Sequence, residues 1–340
     1  MKTNDQPSPD VLLQMITSSW IAQSIYVAAK LAIADLLKGN PKTSDELARE
    51  TGTHSNSLHR LMRLLASVGI FAEDENRRFC LTPLAQYLRT DVPASMRAAA
   101  IMCGESWHWQ SWENILYTLK TGEPAIVKAT GMRLFPFLEQ NSEAFNIFSE
   151  CMTGYAAPTH AATVTAYDFS GIGLLVDVGG GYGTHLAAIL KANPHLRGVL
   201  FDHPSAADGA RKVLATENVA ERCEFVPGDF FESVPAGGDA YMLSHILHDW
   251  DDEQAIGILQ NCRQAMDPGG KVLVVETILP PGNEFSPGKL FDLEMMVLVG
   301  GLERTEPEYR RLLETAGFDL SRVVSTTAPE SIIEALLHSS

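Results

Sequence analysis

The feature that most constrains the fold is a glycine-rich turn between an apolar run and a helical pattern. Leu174 to Val178 is short, apolar and β-branched at two positions, which is typical of a buried parallel strand. Four of the five residues at 179–183 are glycine, and apolar residues at helical spacing resume at Leu186. A strand, a tight turn and a helix in this order predict a doubly wound α/β sheet with a ligand at the turn.

The spacing of these glycines narrows the choice of ligand. Glycine accepts positive φ and lets a ligand approach the backbone, while the helix that follows points free N–H groups toward it. A dinucleotide fingerprint, G-x-G-x-x-G, would need glycine at Thr184, and the chain has D-x-G-G-G-x-G instead. The turn therefore indicates a nucleoside-type cofactor and disfavours an NAD-dependent oxidoreductase.

Length and charge exclude several classes of protein. The 340 residues have room for about two domains. A net charge of −16 without a basic run disfavours a nucleic-acid partner. The five cysteines are scattered, and no two of them form a C-x-x-C motif. This pattern is typical of reduced thiols in a cytoplasmic protein and disfavours a zinc site. The polar first ten residues, and the lack of any run approaching 18 apolar residues, predict neither a signal peptide nor a membrane span.

Residues 1–100 are predicted to form a helical, winged-helix-like dimerisation domain. Residues 11–37 are helical in pattern and so apolar that they must be buried, for instance against a second subunit. Two helices and a hairpin follow up to residue 82. DNA binding is the rival function, but seven acidic side chains balance seven basic ones between Pro41 and Val92, which is poor for a phosphate footprint.

Residues 101–340 are predicted to form the catalytic domain, in which residues 101–166 are a helical, aromatic connector. From Leu174 onward strand and helix patterns alternate, and two short strands close the chain. Part of a flat apolar pocket is expected from five side chains, for which core packing is the equal alternative: Phe148, Met152, Tyr155, Met295 and Met296.

Acidic residues follow the second and third predicted strands of this sheet. Asp202 lies 23 residues after Gly179, where an acid can accept hydrogen bonds from both hydroxyls of a ribose. Asp229, in Gly228-Asp-Phe230, can accept from an adenine amino group while Phe230 packs on the ring. Without the glycine turn and Asp202, an ordinary turn acid and a core phenylalanine would be the preferred interpretation.

His248 follows the fourth strand, beside the predicted cleft. Its neutral imidazole suits a general base for a phenol, whereas His245 is expected to pack within the strand. Asp249 or Asp251 can cap the next helix, so a metal site of His245, His248 and Asp249 is disfavoured and no metal is predicted. Two acids remain as candidates to hold the Nδ1–H of His248, namely Glu276 and Glu303; a salt bridge to Arg304 is the alternative for Glu303.

Five motifs in the same order resemble the plant-type, caffeate-like O-methyltransferases, and in particular their bacterial relatives that tailor hydroxyneurosporene, anthracyclines or phenazines. The motifs are Val176-Asp-Val-Gly-Gly-Gly-Tyr-Gly183, Phe201-Asp-His-Pro204, Gly228-Asp-Phe-Phe231, Leu247-His-Asp-Trp-Asp-Asp252 and Gly300-Gly-Leu-Glu-Arg-Thr305. The resemblance covers nearly the whole chain and implies a Rossmann-like class I methyltransferase sheet, S-adenosylmethionine as cofactor and a homodimer. Leu302 departs from the basic residue usual at that position.

The resemblance also implies a role for particular residues. His248 would be the general base, flanked by Glu276 and Glu303. Asp249 would join the substrate-pocket residues. Ser244 stands where plant members have lysine. The cofactor would be held by Asp177, Gly179, Gly180, Gly181, Asp202, Gly228, Asp229, Phe230 and Ser244.

These observations lead to one hypothesis and three alternatives. The hypothesis is a methyltransferase acting on a phenolic hydroxyl of a small aromatic metabolite. The alternatives are a methyltransferase fold with diverged chemistry (C-methylation, decarboxylation, hydroxylation or cyclisation), an NAD-dependent oxidoreductase, and a cofactor-sensing regulator. The sequence does not identify the substrate.

Overall fold

The computed structural model describes residues 8–92 and 95–338. Within these ranges the strands are β1 (Lys42–Thr43), β2 (Phe71–Glu73), β3 (Arg78–Leu81), β4 (Leu174–Val178), β5 (Arg197–Asp202), β6 (Cys223–Pro227), β7 (Ala240–Ser244), β8 (Lys271–Thr277), β9 (Phe318–Ser325) and β10 (Glu330–Leu337). The helices are α1 (Pro9–Lys30), α2 (Ile33–Leu36), α3 (Ser44–Thr51), α4 (Ser55–Ser67), α5 (Arg97–Gly104), α6 (Ser106–Glu113), α7 (Ile115–Thr121), α8 (Ala125–Thr130), α9 (Leu134–Gln140), α10 (Ser142–Ala166), α11 (Thr184–Ala192), α12 (Ala207–Thr216), α13 (Asp252–Ala265), α14 (Pro287–Leu298) and α15 (Glu306–Ala316).

The chain forms two compact units. The amino-terminal unit takes the residues up to Glu113 together with Phe135–Tyr155. The sheet unit takes Asn114–Leu134 and the chain from Ala156 onward. The predicted connector, residues 101–166, is thus shared between the units. The chain passes between the two compact units at Glu113, Leu134 and Tyr155, and not at residue 100.

In the amino-terminal unit, α3 and α4 lie beside a small antiparallel sheet of order β1-β3-β2. Thr43 caps α3 with a reciprocal capping box to Glu46. Phe71 and Phe79 from the hairpin pack with Leu47 and Met62 from the helices in one buried cluster. The predicted helices and hairpin are therefore present. β1 is an additional strand, too short to give a periodic signal.

The predicted amino-terminal helix is interrupted. Ala32 has a left-handed backbone (φ 52°), which ends the continuous helix and separates α1 from α2. Within this unit α1 leaves large apolar side chains exposed, among them Leu12, Ile16 and Trp20. Among the described residues it is the one helix long and apolar enough to cross a membrane, by length and composition alone. This differs from the sequence expectation of no such segment.

The sheet unit is built on seven strands in the order β6-β5-β4-β7-β8-β10-β9. β4 to β8 are parallel, and β10 is antiparallel to both of its neighbours. After β4 the chain goes to one side and returns to the other at β7, which makes the β4–β7 junction the switch point where ligands bind. Apolar clusters bury both faces, one with α13 and α15 and the other with α11 and α12. The predicted α/β fold is confirmed.

Candidate active site

His248 lies in a short turn directly after β7, at the switch point. β7 ends at Ser244, and a 3₁₀ turn at Leu247–Asp249 precedes α13. Asp251 caps α13 by accepting from the Gln254 amide at 2.9 Å, so the capping role belongs to this acid and not to Asp249. His245 is not within the strand as expected. It follows β7 with a left-handed backbone (φ 55°).

Three carboxylates surround the imidazole of His248. Its Nδ1 lies 2.9 Å from Glu303 Oε1 and 3.3 Å from Glu276 Oε2. Its Nε2 lies 3.7 Å from Asp249 Oδ1. The structure thus brings together the predicted base and both of its predicted acids. Because carboxylates accept at Nδ1, the ring nitrogen that carries a hydrogen is Nδ1, and the lone pair of the neutral ring is on Nε2.

Burial and the neighbouring charges shift the pKa values of three members of this cluster, His248, Glu276 and Asp249. Burial alone would lower the pKa of His248, but the charges of Glu276, Asp249 and Glu303 raise it to about 10. Burial raises the pKa of Glu276 to about 7 and that of Asp249 to about 6, although the charge on His248 opposes both shifts. The cluster therefore stabilises the imidazolium form of His248.

Glu276 also fixes the main chain of the turn. It is fully buried in β8, and its Oε1 accepts from the amides of Ile246 at 2.9 Å and Leu247 at 3.0 Å, with a longer contact to the amide of His248. A buried acid in an apolar strand needs such donors. One carboxylate thus positions both the backbone and the ring of His248.

The segment that carries Glu303 lies unusually close to this turn. A Cβ on Gly301 would stand 1.9 Å from the His248 carbonyl oxygen, so a side chain cannot be accommodated here. The Leu302 amide donates to that same oxygen at 2.9 Å. Arg304 is buried and donates to the carbonyls of Leu247 and Trp250, and it pairs with Asp252. The alternative of a Glu303–Arg304 salt bridge is therefore wrong.

The glycine turn after β4 has the geometry expected of a ligand cradle. Gly179, Gly181 and Gly183 all have positive φ. A Cβ on Gly181 would meet nothing within 4 Å, whereas one on Gly180 would strike the Asp177 carboxylate. The turn therefore has open space at Gly181 and tight packing beneath it, which fits a nucleoside-type cofactor over the start of α11.

The acids near this turn are in different environments. Asp202 accepts from the Gly181 amide at 2.7 Å and from the His203 amide at 2.6 Å, and burial raises its pKa. Each oxygen keeps a lone pair for a further donor, such as a ribose hydroxyl. Asp177 is buried under the turn, and neither of its oxygens has a hydrogen-bond partner in the part of the chain that the structure describes. Burial raises its pKa to about 7. A direct cofactor contact would require this carboxyl to be uncovered.

The remaining predicted cofactor residues lie near the same turn. A Cβ on Gly179 would be 3.5 Å from the Phe230 ring, and Phe230 also contacts Phe231 and Trp250. Asp229, next to Gly228, is exposed and accepts from the Phe231 amide at 2.8 Å as an ordinary turn acid does. Ser244 Oγ lies 3.1 Å from His185 Nδ1.

The predicted substrate residues are distributed over both units. Phe148, Met152 and Tyr155 lie on the part of α10 that belongs to the amino-terminal unit, where Met152 and Tyr155 are exposed. Met295 and Met296 are half-buried on α14, in the sheet unit. Asp249 belongs to the same unit and lies in the turn after β7. Their part in a pocket stays a prediction.

The sequence interpretation missed a group of histidines around Ser244. His160 of α10 stacks on His185 of α11, with ring centroids 4.3 Å apart. Burial lowers the pKa of His160 to about 4 and that of His185 well below its usual range. His185 occupies a buried position of α11, between residues that the sequence assigns to the core. The helical periodicity therefore gives no sign that it belongs to a polar group.

Comparison with known proteins identifies related enzymes. Residues 112–319 match the model of the O-methyltransferase domain, and residues 13–91 match that of the O-methyltransferase dimerisation domain. The phenazine O-methyltransferase of Lysobacter antibioticus is 48% identical over 97% of this chain and 96% of its own. The mitomycin biosynthesis 6-O-methyltransferase of Streptomyces lavendulae is 37% identical over 94% and 92%, respectively. The phenazine-1-carboxylate N-methyltransferase of Pseudomonas aeruginosa is 33% identical over 95% and 96%.

Solved structures show the same likeness. The crystal structure of LaPhzM has a TM-score of 0.92 and 48% identity, covering 98% of this chain and 100% of that one. The O-methyltransferase NcsB1 from neocarzinostatin biosynthesis, in complex with S-adenosylmethionine and 2-hydroxy-5-methyl naphthoic acid, has a TM-score of 0.82 and 31% identity, covering 93% and 96%.

Proposed function

Since the chain belongs to the O-methyltransferase family and is an S-adenosylmethionine-dependent methyltransferase, we propose that it methylates a phenolic hydroxyl of a small aromatic secondary metabolite, with His248 as the general base. The observation that carries the proposal is the imidazole of His248, whose Nδ1 is engaged by Glu303 and Glu276. Because the pKa of His248 is raised to about 10, only the neutral fraction of the ring, whose lone pair is on Nε2, can accept the phenol proton, and turnover should rise as the pH approaches that value.

The surrounding acids support this role in two ways. Glu303 and Glu276 fix the orientation of the ring, and their charges stabilise the imidazolium that forms when Nε2 takes the phenol proton. The His248 side chain is only 12% exposed, so bulk water competes poorly for that proton. The phenolate oxygen becomes the nucleophile as the proton leaves.

The cofactor supplies an activated methyl group on a sulfonium, and the residues present fit it. The main chain at Gly179–Gly181 would face its amino-acid end, and Asp202 would accept from the ribose hydroxyls. Phe230 and Asp229 would contact the adenine, and Ser244 would lie near the cofactor. Holding donor and acceptor in line can contribute about 7–11 kcal/mol to lowering the barrier.

The substrate class is inferred from the relatives. The phenazine, mitomycin and naphthoate methyltransferases are named for fused ring systems, whereas the 3-amino-4-hydroxybenzoate 4-O-methyltransferase is named for a single ring. The phenazine enzyme has the higher identity to this chain, 48% against 38%. We expect this chain to prefer a hydroxylated fused aromatic over a single phenol ring. Methylation of nitrogen is the second candidate, because the Pseudomonas relative is named as an N-methyltransferase.

The quaternary structure proposed here is a homodimer. The match of residues 13–91 to a dimerisation domain supports it, as do the exposed apolar side chains of α1. A second copy would remove these side chains from water, which gives the long apolar helix a role other than membrane insertion. The cytoplasmic location stays a prediction.

The function is tested with purified protein, labelled S-adenosylmethionine and matched acceptors. The panel pairs a hydroxyphenazine with the corresponding aminophenazine, and a naphthol with a simple phenol. We expect methyl transfer to the hydroxyl of the fused rings, with His248→Ala lowering kcat by roughly 10²–10⁴-fold and leaving the Kd of the cofactor unchanged. His338→Ala, at an exposed histidine, is the control. Unaltered turnover in His248→Ala would remove this residue from the mechanism.

A further inference from the structure

His245 is a polar residue beside the active site that the proposed reaction does not use. It has a left-handed backbone (φ 55°), which is uncommon for a residue with a side chain and is found where a site requires it. Its ring centroid lies 5.6 Å from that of His248. Its Nε2 is buried without a hydrogen-bond partner among the described residues.

His245 lies close to two other residues that can bind a metal ion. One nitrogen or oxygen from each of His245, His248 and Glu276 lies within 4.8 Å of the others. Glu276 Oε2 is fully buried and makes no hydrogen bond to any of the described residues, although His248 Nδ1 stands 3.3 Å away. That separation already equals the ligand–ligand distance of about 3.3 Å that tetrahedral bonds of 2.0–2.1 Å require. Binding at His248 Nδ1 would require its hydrogen to move to Nε2 or to be released.

The charges around this group favour a cation. Glu276, Glu303 and Asp249 surround the single imidazole of His248, and Glu330 Oε1 lies 3.9 Å from His245 Nε2. Arg304, which follows Glu303 in the chain, pairs with Asp252. More negative than positive groups are therefore buried here, and a bound cation would offset the repulsion between them.

We propose that His245, His248 and Glu276 bind a divalent transition-metal ion of the zinc type, and that this ion inhibits methyl transfer. Two imidazoles and one carboxylate suit Zn²⁺, whereas Mg²⁺ and Ca²⁺ prefer oxygen ligands. Three protein ligands leave a fourth position for water. This site differs from the disfavoured trio of the sequence analysis, because Glu276 replaces Asp249.

Inhibition is expected because a neutral imidazole has a single basic lone pair, which can bind either a metal ion or a proton. A neutral ring has one lone pair, and the other nitrogen carries hydrogen. Whichever nitrogen of His248 binds the ion, no lone pair remains for the phenol proton. The inhibitory part rests on the proposed function of His248, whereas the binding part does not.

Binding is tested with Co²⁺ and Zn²⁺ on the metal-free protein. Co²⁺ should give the visible absorption of a four-coordinate nitrogen and oxygen site at one equivalent, and Zn²⁺ should displace it. His245→Asn should weaken Zn²⁺ binding by tenfold or more in a calorimeter. The exposed His338→Asn is the matched control and should bind as the wild type does. Absence of one-equivalent binding, or equal affinity in His245→Asn, would overturn the site; the latter result would indicate capture by cysteines or surface groups.

Inhibition is tested separately, with each variant compared with its own metal-free rate. Zn²⁺ should inhibit the wild type with the concentration dependence of the calorimetric Kd, and a chelator should restore the rate. The inhibitory concentration should rise by tenfold or more in His245→Asn. Binding that depends on His245 but leaves turnover intact would overturn the inhibitory role and the assignment of His248 as base. Normal turnover without binding would overturn only the metal site.

Discussion

At the scale of single residues, the charge of Glu303 is the most informative feature to alter. Glu303→Gln keeps an oxygen that can accept from His248 Nδ1, so the ring should keep its orientation while the imidazolium loses one stabilising charge. We expect kcat to fall roughly 10- to 100-fold, with little change in the Kd of the cofactor. Steady-state kinetics and cofactor titration measure both. An unchanged kcat would show that Glu276 alone supplies the electrostatic stabilisation.

Gly301 is required by distance and not by backbone conformation. Gly301→Ala places a Cβ 1.9 Å from the His248 carbonyl, so the segment must move away from the turn. We expect a loss of about 1–3 kcal/mol in the free energy of unfolding, and a lower kcat because Glu303 moves with the segment. Denaturant unfolding and kinetics measure these effects.

Gly257→Ala is the matched control for this substitution. It lies within α13, where a Cβ would meet nothing within 4 Å. Replacing a helical glycine by alanine should stabilise the protein by about 0.5–1 kcal/mol. A Gly301→Ala variant as stable and active as this control would contradict the close packing.

His160 should make the sheet unit sensitive to acid. Burial lowers its pKa from 6.5 to about 4, so the unfolded chain binds the proton more readily than the folded one. Its contribution is fully present above pH 6.5 and is lost as the pH falls toward 4. The free energy of unfolding should therefore decline less steeply across this window in His160→Gln than in the wild type. Parallel curves would contradict the shift.

At the scale of elements, segments with periodic apolar residues can be predicted from the sequence, whereas residues with a left-handed backbone conformation cannot. The sequence predicts β4, Leu174 to Val178, with its observed bounds, because a buried strand leaves a continuous apolar run. It does not predict the breaks at Ala32 and His245, because both residues adopt positive φ without a glycine or asparagine signal. For the same reason His245 was placed in the strand and its unpaired nitrogen was missed.

The candidate site was predictable from the ends of elements. His248, Asp202 and the glycine turn all follow parallel strands, whose carboxyl ends lie on one edge of a sheet. The distances that select partners were not predictable, since Glu303 lies 55 residues from His248 along the chain. The structural role of Arg304 was not predictable either, since the sequence suggests a salt bridge to the adjacent Glu303 whereas the structure has Arg304 donating to main-chain carbonyls.

The apolar face of α1 carries a prediction of its own. Leu12, Ile16 and Trp20 are spaced by four residues and are exposed, so they form one stripe along the helix. If a second copy covers this stripe, Ile16→Glu should bury a charge at the interface and shift the protein toward monomer. Light scattering coupled to size exclusion measures the change. Gln14→Glu, outside the stripe, is the control, and dissociation of both variants alike would indicate a general charge effect.

At the scale of the whole molecule, the two units are interleaved along the chain. The main chain passes from one unit to the other at Glu113, at Leu134 and at Tyr155, so α10 begins in the amino-terminal unit and ends in the sheet unit. A single boundary along the chain therefore does not divide the sheet, with the turn that carries His248, from the apolar helices.

This interleaving limits how relatives of this enzyme can exchange parts. A single recombination point near residue 100 would give a hybrid whose Phe135–Tyr155 segment came from one parent and its packing partners from the other. Exchange that keeps each unit intact needs three coordinated junctions. Because three simultaneous exchanges are rare, we expect the amino-terminal unit and the sheet unit to have been inherited together. Chimeras designed for new acceptors should therefore be joined at all three junctions.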